Sequence, residues 1–118
     1  GQLEMVRELL ERGASVDLQN SLGRTALMAA ALNSHLSIVL VLLQHSANAD
    51  LQSNNGVTAM ILAADQGHEP CVQALLRAKA NPDQQDIDSR TALMWAANKG
   101  REACVKALLR AKANTELL

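Results

Sequence analysis

Apolar positions along this chain fall into two short helical patterns flanking a break, and the arrangement recurs. Ala92, Leu93, Ala96 and Ala97 share one helical face at i, i+1, i+4, i+5; after Gly100 the same spacing returns in Cys104, Val105, Leu108 and Leu109. Thr91-Ala92-Leu93 is matched by Thr58-Ala59-Met60 and Thr25-Ala26-Leu27, and the steps from 25 to 58 and from 58 to 91 are both 33 residues. Leu108-Leu109 is matched at the same step by Leu75-Leu76, Leu42-Leu43 and Leu9-Leu10. A fixed period in this range marks stacked supersecondary units, each burying its apolar face against its neighbours. The pattern predicts an all-α solenoid.

Taken in order, the chain opens on a single helix, roughly Leu3 to Arg12, stopped by Gly13, a good left-handed cap. Residues 1–21 read as a partial unit lacking its first helix; fuller units follow at 22–54, 55–87 and 88–118, and the whole of 1–118 reads as one repeat domain. Thr25, Thr58 and Thr91 are candidate N-caps, because a hydroxyl there can accept from an orphan helical N–H. Pro70 falls in a first helical turn, where a missing N–H costs little. Ala30-Ala31, Ala63-Ala64 and Ala96-Ala97 permit close helix approach. The linkers Ser15–Gly23, Asn48–Gly56 and Asn81–Ser89 are rich in Asn, Asp, Gln and Gly, which favour turns. Leu3, Val6, Leu9 and Leu10 form an apolar stripe with no upstream partner. It points to a fragment of a longer repeat protein, or to self-association through the bare N-terminal helix.

The 33-residue period, the Thr-x-Leu-x-x-Ala-Ala helix, the Gly67-His68 break and the Val-x-x-Leu-Leu second helix resemble ankyrin repeats, over the whole chain. The resemblance implies stacked antiparallel helix pairs with projecting β-turn fingers, acting as a protein-binding module. The departures are specific. The family's Thr-Pro-Leu-His reads Thr-Ala-Leu-Met, Thr-Ala-Met-Ile and Thr-Ala-Leu-Met here, without the helix-start Pro or the His that supports the Thr. Gly13 becomes Ser46, Lys79 and Lys112 in later units; a left-handed backbone there costs about 1 kcal/mol each. The finger asparagine, a hydroxylation target in relatives, is Asp17, Asp50, Asp83 and Glu116.

Composition narrows the function classes. Trp95 is the sole aromatic, and a core of Ala, Leu, Val, Met and Cys suits close helix packing rather than a β-sandwich. A net charge of −1 lacks the basic excess of a general nucleic-acid binder. Cys71 and Cys104 share a slot filled elsewhere by Met5 and Ile38, so both read as buried, reduced packing residues. Helices about 10 Å apart hold such positions too far from each other for a disulfide. An intracellular setting, cytoplasmic or nuclear, follows from reduced thiols. No signal peptide or membrane span is visible, so no membrane partner is expected.

Catalytic chemistry finds little support. His35 and His68 share one slot, His45 ends a helix, and neither cysteines nor histidines have metal-ligand spacing. No nucleophile elbow, P-loop or dinucleotide glycine pattern occurs, and a Cys71–His68 nucleophile would require an exposed thiolate from a packed slot. The chain is read as having no enzymatic activity and no cofactor.

Protein binding is the leading reading. In ankyrin-like stacks the finger tips and exposed first-helix face line a concave surface. The corresponding finger slots are Ser21, Leu22 and Arg24; Asn54, Asn55 and Val57; Ile87, Asp88 and Arg90. The first-helix slots are Leu32 and Asn33, Asp65 and Gln66, and Asn98 and Lys99. Apolar Leu22, Val57 and Ile87 on polar fingers serve either finger-to-finger packing or a partner. Trp95 lies about 130° from the centre of its helix's apolar face. That position suits either partial packing on a neighbouring repeat or a binding anchor. Leu40 occupies the slot of Arg7, Gln73 and Lys106 and reads as solvent-facing; a single exposed Leu is ordinary, and a convex-face contact is the other reading. An alternative function is recognition of a phosphorylated small ligand or nucleotide, with Trp95 stacking and Arg90, Lys99 and Arg101 supplying charge.

Overall fold

The computed structural model describes residues 2–111 and 113. Within them the order is α1 (Gln2–Glu11), α2 (Ala26–Leu32), α3 (Leu36–Gln44), α4 (Ala59–Gln66), α5 (Glu69–Arg77), α6 (Ala92–Asn98) and α7 (Glu102–Arg110), with no strand among the described residues. α2/α3, α4/α5 and α6/α7 are hairpin pairs, and α1 stands without a helix before it. α2 packs on α4 and α4 on α6, making one row; α1, α3, α5 and α7 make the second. The stack is elongated, 43 × 26 × 21 Å.

Local chemistry sets the helix ends. The hydroxyls of Thr25, Thr58 and Thr91 accept from the N–H of Met28, Ile61 and Met94 at 3.2, 3.1 and 3.3 Å. The caps form without the family's neighbouring Pro and His. α3, α5 and α7 have no side-chain cap of their own; instead the residues before α5 and α7 reach to the preceding unit. His68 Nε2 lies 2.9 Å from the Leu32 carbonyl oxygen, and Arg101 Nε–H donates to the Asp65 carbonyl at 3.0 Å. Those carbonyls are orphans at first-helix C-termini, so each bond closes one helix while tying two units together. Pro70 sits in the first turn of α5. At second-helix ends Ser46 and Lys79 are left-handed (φ 63° and 67°), as expected of the Gly13 slot; Lys112 lies outside the described residues. Ala47 N–H and Ala80 N–H then reach back to Leu42 and Leu75 carbonyls at 3.0 Å, the bond that ends a helix through a left-handed residue.

The core is made of small side chains between the two rows. Ala30, Ala31, Ala63, Ala64 and Ala96 are buried, as are both cysteines, which are free thiols. Three residues depart from the expected packing: Leu109, set by spacing on the apolar face of α7, is 47% exposed, and Ala97 and Met5 also differ. Ala97 belongs by spacing to the apolar face of α6 yet is exposed, whereas its slot-mates Ala31 and Ala64 are fully buried by the first helix that follows. Among the described residues no further first-row helix stacks beyond α6. Met5, the slot-mate of Cys71, is 63% exposed because α1 has no first helix over it, and α1 buries no residue completely.

The fingers are held as a row. Asn54 N–H donates to Leu22 O at 3.0 Å and Ile87 N–H to Asn55 O at 2.9 Å. Gln19 and Gln52 amides donate to Gln52 O and Gln85 O, at 3.1 and 3.0 Å. Asp17 and Asp50, where the family resemblance places asparagine, accept from Asn48 N–H and Asn81 N–H at 2.8 Å; Glu116 lies outside the described residues. Gly56 carries φ 75°, and a Cβ there would stand 2.9 Å from Ile87 N, so the next finger seats directly on it.

Candidate functional site

The third finger and α6 meet at Asp86. This carboxylate is 8% exposed, and its Oδ1 accepts from the N–H groups of Asp88 and Arg90, both at 2.9 Å. The pair of bonds forms an Asx turn that shapes the fingertip. Asn20 and Ser53 hold the same slot and make the same bonds, Asn20 to Leu22 and Arg24 and Ser53 to Asn55 and Val57. Asp86 alone has a second task. Its Oδ2 accepts the indole Nε1–H of Trp95 at 2.9 Å.

That bond fixes the indole. Trp95 is half-buried against the core, and the Arg90 guanidinium carbon sits 4.9 Å from the ring centroid, in cation–π range. Arg90, Met94, Trp95 and Asn98 line an open depression of about 380 Å³. One turn on, Lys99 Nζ stands 3.5 Å from Asp65 Oδ1. Gln66 Nε2 donates to the other carboxylate oxygen of Asp65 at 2.9 Å. Asp65 Oδ1 is buried and accepts no hydrogen bond; among the described residues the ion pair it makes is the 3.5 Å approach of Lys99. A second depression, about 530 Å³, lies beside α2, with Leu18, Arg24, Ala29, Asn33 and Leu62 among its walls.

The expected binding residues thus divide by environment. Leu22 and Ile87 are 57% and 71% exposed at the fingertips. Arg24, Asn55, Asp88, Arg90, Gln66, Asn98 and Lys99 are also exposed. Asn33 is exposed, although its amide already donates to Ala29 O at 2.9 Å. Val57 is half-buried against the core, and Asp65 is half-buried. Arg90, Trp95 and Asn98 share one depression, and Lys99 links α6 to Asp65, which Gln66 also contacts; Arg24 and Asn33 line the separate depression beside α2. The cations of the nucleotide reading all have intramolecular contacts: Arg90 on the ring, Lys99 at the Asp65 carboxylate, Arg101 on the Asp65 carbonyl.

Sequence reasoning did not single out Asp86. The available signal was an acid in a slot that Asn20 and Ser53 otherwise fill, nine residues before the one tryptophan, where their own ninth residues are Ala29 and Leu62. Among the described residues, no group of three or more His, Cys, Asp or Glu could hold a metal ion, and no helix is long and apolar enough to cross a membrane. Cys71 is fully buried, and burial pushes its thiol pKa up, partly offset by a hydrogen bond with Ser34. Burial raises Cys104 likewise, Glu69 adding to the rise and Arg101 opposing it. Neither thiol has the depressed pKa of a nucleophile.

Comparison with known protein families gives one match: the family model described as ankyrin repeats (3 copies) aligns with residues 1–86 and 47–117. No curated protein matches the chain.

Proposed function

Because this chain belongs to the ankyrin-repeat family, whose members are generally protein–protein interaction modules, we propose that it binds a partner protein on the face formed by its fingers and first helices. One observation carries this reading: the sole aromatic is held in place, yet partly exposed, on α6 of that face. The Asp86 bond fixes the indole edge and Arg90 covers part of its ring, so little rotamer freedom is left to lose on binding. A fixed tryptophan beside an arginine has the composition of an interface hot spot. Leu22 and Ile87 add exposed apolar surface on fingers already ordered by their mutual hydrogen bonds.

Partner capture by the parent chain, by Trp95→Ala and by Leu22→Ser/Ile87→Ser tests the reading. Val57 is left intact because it packs on the core. Loss of the same captured proteins in both variants, with helical content unchanged, supports it. Identical captured sets from all three chains would remove this face from consideration.

A further inference from the structure

The opposite side of the stack carries a second feature. α3 (LSIVLVLLQ) is the one second-row helix among the described residues with no charged side chain. At its two outward positions the other units carry Leu3 and Arg7, Glu69 and Gln73, Glu102 and Lys106; α3 carries Leu36 and Leu40. Leu40 is 43% exposed and Leu36 is half-buried. Together with Pro70 and Ala74 of α5 they line a groove of about 270 Å³ between the two helices, with Gln73 on the α5 wall donating to Glu69 Oε1 at 3.1 Å. Glu69 closes one end and Arg77 the other, at opposite ends of α5, so the two charges stand about 12 Å apart along the helix axis.

A groove with leucines along one wall and an acid and a base at opposite ends of the other is complementary to its own copy turned by 180°. A two-fold axis through the groove sets Glu69 of each copy against Arg77 of the other and lays the Leu40 side chains into facing grooves; the α5 dipoles then run antiparallel. We propose that this groove is the interface of a symmetric homodimer, formed on the face away from the fingers so that both finger rows stay open.

Sedimentation equilibrium of the whole chain, up to about 1 mM because a patch this size makes only a weak interface, tests it. The parent is expected to dimerise. Leu40→Lys should weaken the dimer at least about tenfold, and it should fold, since Lys106 already occupies that slot. Arg77→Glu, a residue the slot-mate Glu11 already tolerates, should also weaken it by opposing acid to acid. The reversal Glu69→Arg/Arg77→Glu should recover most of the parent association. A control at the bare α1 face, Met5→Ser/Leu9→Ser, should change nothing. A parent monomeric throughout, a dimer indifferent to Leu40→Lys, a reversal that fails to rescue, or a dimer lost only in the α1 control would each overturn the proposal.

Discussion

Replacing Asp86 separates two functions of one carboxylate. Asp86→Asn keeps an oxygen for the Asp88 and Arg90 N–H groups, the arrangement Asn20 already uses, but presents a donor to the indole N–H. Asp86→Ala removes all three bonds. A hydrogen bond to a charged group contributes about 1.5–3 kcal/mol. The lower end applies here, because Trp95 is only half-buried and Asp88 and Arg90 are exposed, so the freed N–H groups can turn to water. Asp86→Asn should therefore cost about 1.5 kcal/mol, and Asp86→Ala, which also releases the turn, about 3 kcal/mol. Urea unfolding followed by circular dichroism gives both numbers, and Trp95 emission reports the freed indole in the Asn variant. In a Trp95→Phe background the Asn change should cost clearly less, since its only new defect is gone. Equal losses for Asn and Ala, or an Asn cost unchanged by Trp95→Phe, would refute the assignment.

Other positions give sharper or opposite signs. Gly56→Ala should cost more than about 2 kcal/mol, combining left-handed strain with the Cβ clash on the next finger, whereas Gly100→Ala, with open space around it, should cost only about 1 kcal/mol; equal urea midpoints would contradict the difference. Lys79→Gly relieves a left-handed lysine on an exposed helix end and should raise stability by up to about 1 kcal/mol in the same assay. The thiols of Cys71 and Cys104 are raised in the fold, so the native state holds its protons longer than the unfolded chain. Their contribution is complete below the ordinary thiol value of about 8.5 and falls as pH climbs above it; stability in Cys71→Ala/Cys104→Ala should decline less between neutral and alkaline pH. Titration of Trp95 fluorescence with nucleotides should show no saturable response, because Arg90, Lys99 and Arg101 are already engaged within the chain.

What could be read from the sequence was whatever repeats. The 33-residue register fixed the helix pairs, the threonine caps, the burial of Cys71 and Cys104 and the left-handed ends at Ser46 and Lys79. These recur because each unit solves the same packing problem against the same neighbour. Contacts between units were much less visible. His68 to Leu32 and Arg101 to Asp65 each span 36 residues, and the Gln19 and Gln52 amide ladder spans 33. Such bonds need the stacking distance, not only the order of residues. Asp86 escaped notice because its partner Trp95 lies across a turn and onto the next helix, where wheel geometry within one helix says nothing. Ala97 was placed on a buried face because spacing records which face is apolar, while burial depends on having a neighbour to cover it. For the candidate site, the variable slots were legible along the chain; their division into a cluster around Trp95 and a second depression beside α2 holding Arg24 and Asn33 was not.

Recognition of a protein by the finger-and-first-helix face, as proposed above, would leave a local signature. Amide chemical shifts of the labelled chain, recorded with and without a partner captured by the parent, test it most directly. Changes should concentrate at Leu22, Ile87, Asp88, Arg90, Trp95, Asn98 and Lys99, with α3, α5 and α7 unaffected. Changes confined to those second-row helices, with the fingers silent, would contradict it.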